Sequence, residues 1–187
     1  MVTDEVIQER LRLLAEYIED LRAEQGISFA QYQDDKKTRR YVEHTIQIAI
    51  EACLDIGHHI IAEKHLPLPK EHRDIFQVLG EAEIVPGEAV PALPKMVGFR
   101  NRLVHEYERV ENEFVYGILK KNLGDLERFG QAIRRYLDKE AQAAAEKEQS
   151  PPPVQEETIP NVDGEKGKTV RERRTKYTVR RKRKTVR

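Results

Sequence analysis

Between Phe99 and Tyr107 the chain reads FRNRLVHEY. Two arginines, an asparagine, a histidine and a tyrosine share this stretch with Leu103 and Val104, which have the character of packing residues. A histidine titrates near neutral pH and can carry a proton to or from a reacting oxygen. An arginine keeps its charge and can face a phosphate as negative charge builds up. Arg100 and His105, with the amide of Asn101 beside them and no metal ligands in the segment, suit cleavage of an RNA phosphodiester. RNA supplies its own 2′-hydroxyl nucleophile, so such a reaction requires no metal. The spacing alone is weak evidence, because a cation near a helix C-terminus is favourable in its own right.

Geometry restricts how the pair can work. Five residues along an α-helix turn the chain by about 140°, so Arg100 and His105 do not share a face of a straight helix. Asn101 and His105 do, while Phe99 and Leu103, and with them Met96, would pack inward. Arg100 and His105 converge only if the helix ends or bends near His105, or if two copies of the chain build one site.

The elements that must hold this segment are legible in the periodicity. Residues 4–25 place Ile7, Leu11, Leu14, Ile18 and Leu21 on one helical stripe that stops at Gly26. Ser28 and Gln31 have capping-box spacing and start a short helical turn. A long helix over 36–64 carries Ile46, Ala49, Ile50, Cys53, Gly57 and Ile60 on one face and belongs at the centre of the fold. Gly57 costs it ~1 kcal/mol of helix propensity against alanine, which a close approach by a neighbouring helix would justify. Proline in the run LPLP at 66–69 ends that helix. A shorter helix is expected over 70–82 with Ile75, Phe76 and Leu79 inward, then a turn at 85–88. The motif helix is expected from Pro91 to His105, with both of its prolines in the first turn. A last long helix over 111–147 has the stripe Val115, Ile118, Leu119, Leu126, Phe129, Ile133 and Leu137. No segment alternates with a period of two, so the fold class is all-α, an antiparallel helical bundle.

The chain divides by composition into a helical domain at 1–147 and a linker and tail at 148–187. From Ser150 onward prolines and glycines replace large apolar residues, and the segment is expected to be disordered. Residues 164–187 carry 12 Lys+Arg and 2 Asp+Glu, while residues 1–163 carry 21 Lys+Arg and 31 Asp+Glu. The net charge of zero therefore hides an acidic body and a strongly basic arm. Such an arm favours phosphate backbones through counterion release. It could instead fold back on the acidic body, or serve solubility alone. With 35% charged residues and no long apolar run, no membrane span is expected. The acidic, amphipathic N-terminus lacks the pattern of a secretory signal, and a cytoplasmic location is expected. Cys53, the single cysteine, reads as a buried, inert thiol.

Other polar clusters carry less. Asp55 and His59 share a helical face, and His58, His65 and His72 lie near them in sequence, but a third metal ligand at a convincing spacing is missing, so no metal is assigned. The run DDKKTRR at 34–40 reads as a solvated helix start. Arg40 and Glu43 are candidates for lining a dimer cleft.

The segment Arg100–Tyr107 resembles, without gaps, the Arg-x4-His-x-Tyr motif of the HEPN superfamily in its HepT-like toxin branch. The stretches IQIAIEACLDIGHHIIAE at 46–63, EIVPGEAVPALPKMVGFRN at 83–101 and YGILKKNLGDLERF at 116–129 are similar to that branch too. The resemblance spans about residues 4–140 and leaves the basic arm outside. It implies an all-α, homodimeric, metal-independent ribonuclease toxin with its active site in a cleft at the dimer interface and no cofactor. Arg100 and His105 would be the catalytic pair, with Asn101 and Arg102 as supporting polar residues. The implied partners are an RNA substrate and an MntA-like nucleotidyltransferase antitoxin, which would transfer AMP to Tyr107. An AMP group there would obstruct the RNA path and pair with Arg100 or Arg102. The rival reading is a non-enzymatic α-helical adaptor that binds nucleic acid through its basic arm and a nucleotidyltransferase through the bundle.

Overall fold

A computed structural model describes residues 2–87, 92–105 and 111–149. They form seven helices and, among the described residues, no strand: α1 (Val2–Glu24), α2 (Phe29–Asp34), α3 (Lys36–Glu63), α4 (Asp74–Glu81), α5 (Leu93–His105), α6 (Asn112–Lys121) and α7 (Leu123–Gln149). The disordered basic arm inferred from composition falls on residues outside this description, as does Pro91.

The apolar stripes become the core. Ile7, Leu11, Leu14, Ile18 and Leu21 of α1 are all buried, as are Ile46, Ala49, Ile50, Cys53 and Ile60 of α3. α3 is the central helix and packs against each of the other six. α1 runs antiparallel to it: Arg10 pairs with Asp55 at 3.3 Å, while Asp20, ten residues on, faces Tyr41 near the start of α3. α1 and α7 also meet antiparallel, with Arg22 against Glu127 and Leu14 against Gly130.

Caps and turns place the ends. Ser28 and Gln31 form the expected capping box on α2. Asp35 caps α3, accepting from the amides of Lys37 and Thr38 at 2.8 and 3.3 Å and from the Thr38 hydroxyl at 2.7 Å. These donors hold its carboxyl below the ordinary aspartate value. At Gly57 a Cβ would stand 2.3 Å from Ile75 Cγ2 and 3.4 Å from Leu79 Cδ1, so α4 crosses α3 at the one position without a side chain. Burial pushes the Cys53 thiol well above its ordinary value.

The single last helix expected over 111–147 is instead two helices. α6 stops at Asn122, which has φ −113° and ψ −1° and caps Ile118. The Asn122 side-chain amide donates to Asp125 at 3.2 Å, and the Asp125 amide donates to the Asn122 carbonyl at 3.0 Å. At the Asn-Leu-Gly-Asp run backbone bonds close the turn between the helices, and the Asn122 and Asp125 side chains tie its two ends together. The stripe still points inward on both sides of it, with Val115, Ile118, Leu119, Leu126, Phe129 and Ile133 buried and Leu137 packed against the core.

Candidate active site on α5

Helix α5 is anchored by its apolar face. Leu93, Met96, Val97 and Phe99 are buried, and α5 packs on α3 and α4. Pro94 is its second residue, within the first turn, where its missing amide has no intrahelical partner. The helix is unbroken through His105. The helix does not end before the histidine, and on regular helix geometry positions 100 and 105 stand about 140° apart around the axis. Convergence within one chain would have to come beyond the described helix, and otherwise it needs a second copy.

Arg100 is half-buried and fixed to the central helix. Its Nε and Nη2 donate to Glu51 Oε1 at 3.0 and 2.9 Å. Its Nη1 donates to Asn101 Oδ1 at 3.2 Å. Glu51 is itself steadied by Gln47, whose Nε2 donates to the same oxygen at 3.2 Å. The guanidinium is thus oriented by a charge-assisted contact between helices 49 residues apart in sequence. Asn101 is exposed beside it.

Arg102 is exposed, and its guanidinium carbon lies 4.9 Å from the centroid of the Phe114 ring on α6. Phe114 packs in turn on Phe99, with ring centroids 5.4 Å apart. The backbone positions of Asn101, Arg102 and His105 fall on one side of α5, three and four residues apart. Tyr107 lies outside the described residues.

The lesser clusters find other partners. Asp55 faces Arg10, and the His58 and His72 rings meet edge to face at 5.7 Å. Among the described residues no three His, Cys, Asp or Glu side chains are grouped as a metal would need. Arg40 and Glu43 pair with each other along α3 at 3.3 Å.

Two contacts of the motif were not foreseen from the sequence. Glu51 sits among apolar residues on a buried helix, which marks it as unusual but does not say what it meets. Phe114 lies off the stripe of α6, and an apolar residue off the stripe was the available signal.

A family model described as ribonuclease HepT-like matches residues 7–133, from the first core residue of α1 to Ile133 of α7. The chain belongs to the HepT-like ribonuclease family. The mRNA nuclease HepT of Shewanella oneidensis is 31% identical to it over 105 residues, which cover 56% of this chain and 79% of that protein. The tRNA nuclease HepT of Aphanizomenon flos-aquae is 26% identical over 132 residues, covering 71% of this chain and 90% of that one. Among solved structures, a tri-AMPylated Shewanella oneidensis HEPN toxin in complex with its MNT antitoxin matches with a TM-score of 0.65 and 28% identity, over 70% of this chain and 97% of that chain. A toxin–antitoxin crystal structure with AMP-PNP matches with a TM-score of 0.65 and 26% identity, over 70% of this chain and 98% of the other. The HepT-like fold thus accounts for the bundle. No helix among the described residues is long and apolar enough to cross a membrane.

Proposed function

We propose that this HepT-like chain is a metal-independent endoribonuclease, the toxin of a toxin–antitoxin pair, acting in the cytoplasm as a homodimer. The observation that carries the proposal is Arg100. In a chain of a ribonuclease family, it stands five residues before His105 on an unbroken helix, with its guanidinium aimed by Glu51 and Asn101. In the proposed reaction His105 removes the proton of a 2′-hydroxyl, and the 2′-oxygen attacks the adjacent phosphorus. Arg100 neutralises the charge that develops on the phosphoryl oxygens. The 5′-oxygen leaves with a proton taken from water, His105 returns its proton to solvent, and a 2′,3′-cyclic phosphate and a 5′-hydroxyl remain. Asn101 holds the guanidinium in place, and Arg102 adds a second positive charge near the path of the strand.

Silencing by AMP transfer is supported by the structural relative that carries AMP groups and sits with an MNT antitoxin. In this chain the acceptor would be Tyr107, whose hydroxyl oxygen attacks the α-phosphorus of ATP as pyrophosphate leaves. The partner is a small nucleotidyltransferase of the same kind. The division into a helical domain at 1–147 and a Pro-containing linker with a basic tail at 148–187 belongs to this proposal as well, with the tail adding salt-sensitive affinity for RNA.

The test is intact mass. Incubated with its nucleotidyltransferase partner and ATP, the wild-type chain is expected to gain mass in whole AMP units and to lose RNA cleavage. Tyr107→Phe is expected to gain none and to keep cutting. Full modification and silencing of Tyr107→Phe would remove that tyrosine from the account.

A further inference from the structure

The contact between Arg102 and Phe114 has no role in the reaction above. Phe114 is one of few large apolar side chains exposed among the described residues, 45% exposed. It is rigidly based, because Phe99 beneath it is buried in the core. A guanidinium lies over its ring. The ring also lines a cleft of about 360 Å³ between α5 and the α6–α7 corner, flanked by Lys95 and Lys121 with Gly117 on its wall. That volume falls in the range of small-ligand clefts. Glu113 and Asp125 line the cleft as well. Arg102, which covers the ring, is three residues from His105 on the same side of α5.

We infer that Phe114, with Arg102 over it, is a stacking platform that takes one unpaired RNA base beside the cleavage site. The identity of the ligand rests on the ribonuclease reading. Aromatic rings and guanidinium planes are the surfaces on which proteins stack splayed bases. Lys95 and Lys121 supply positive charge for the flanking phosphates. A platform of this kind selects single-stranded or looped RNA, because a base inside a duplex has no free face to offer. It also sets register: the base held on the ring determines which phosphate reaches Arg100 and His105.

The test uses the full chain in a His105→Ala background, so that the RNA stays intact, with a short single-stranded oligoadenylate carrying one 2-aminopurine. Stacking on the ring quenches the 2-aminopurine fluorescence. Phe114→Ala is expected to abolish the quenching and weaken binding about 5- to 100-fold, and Phe114→Trp is expected to restore both. Gly117→Leu serves as a second variant. A Cβ there meets nothing within 4 Å, and leucine favours the helix, so it fills the cleft without disturbing the fold; it too is expected to weaken binding. Unchanged affinity and quenching in Phe114→Ala would overturn the platform, as would a tryptophan variant no better than alanine. Conversion of the Phe114→Ala dimer to a monomer would also overturn it, by making the ring an interface between copies. Cleavage by the chains with His105 intact separates the two claims. Wild type that binds and quenches but does not cut leaves the platform without the nuclease. Wild type and Phe114→Ala that cut with equal KM leave the nuclease without the platform.

Discussion

Glu51 holds Arg100 through two of its guanidinium nitrogens, and this contact gives Glu51→Ala a specific expected phenotype. The guanidinium would keep its charge but lose its aim, and misplacement of a transition-state group lowers kcat rather than raising KM. A fall in kcat on the order of tenfold, ~1.4 kcal/mol of barrier, is expected with KM little changed; single-turnover cleavage across substrate concentrations measures both. Glu51→Gln keeps a hydrogen-bond acceptor at the same place and is expected to fall in between. The residue types of the motif were legible because their chemistry is written in their side chains. The pairing with Glu51 was not, because a contact between helices 49 positions apart depends on how α5 lies on α3, which no local pattern encodes. Phe114 was hidden for the same reason: its meaning comes from Phe99 and Arg102 on another helix.

Helices were legible wherever a stripe ran long. α1 and α3 follow their apolar spacing, and Gly57 marked in advance the place where another helix comes close. The contact makes Gly57→Ala a test of that packing. Alanine gains ~1 kcal/mol of helix propensity, but its Cβ would stand 2.3 Å from a methyl carbon of buried Ile75, and overpacking costs about 1–3 kcal/mol. Net destabilisation of about 1 kcal/mol is expected in urea unfolding; a more stable variant would mean that α4 yields easily. The corner at Asn122 escaped the periodicity because α6 and α7 carry one continuous stripe, and apolar spacing does not register a break that leaves the inward face unchanged. The signal there was chemical, in the turn-forming Asn-Leu-Gly-Asp run, whose two polar side chains bond each other across the turn.

Helix geometry also reaches the scale of the assembly. With α5 unbroken through His105, positions 100 and 105 stand about 140° apart around its axis, and the proposed dimer lets the arginine of one copy work with the histidine of the other. Mixing Arg100→Ala chains with His105→Ala chains would then create mixed dimers with one complete site each. Cleavage is expected to recover to about a quarter of the wild-type rate, since half the dimers in an equal mixture are mixed and each has one site of two. A site contained within one chain would give no recovery. The fold class was open to sequence reasoning because amphipathic helices have few ways to bury their stripes, whereas the pairing of two copies leaves no periodic trace in one chain. The central claim, that His105 and Arg100 cut RNA without a metal, is tested most directly by single-turnover cleavage of a single-stranded RNA in excess chelator, wild type beside His105→Ala and Arg100→Ala, with helicity checked in parallel. Wild type is expected to cut at an undiminished rate while both folded variants fall by several orders of magnitude; His105→Ala cutting at the wild-type rate, or wild type falling silent in chelator, would rule out metal-free cleavage by this pair.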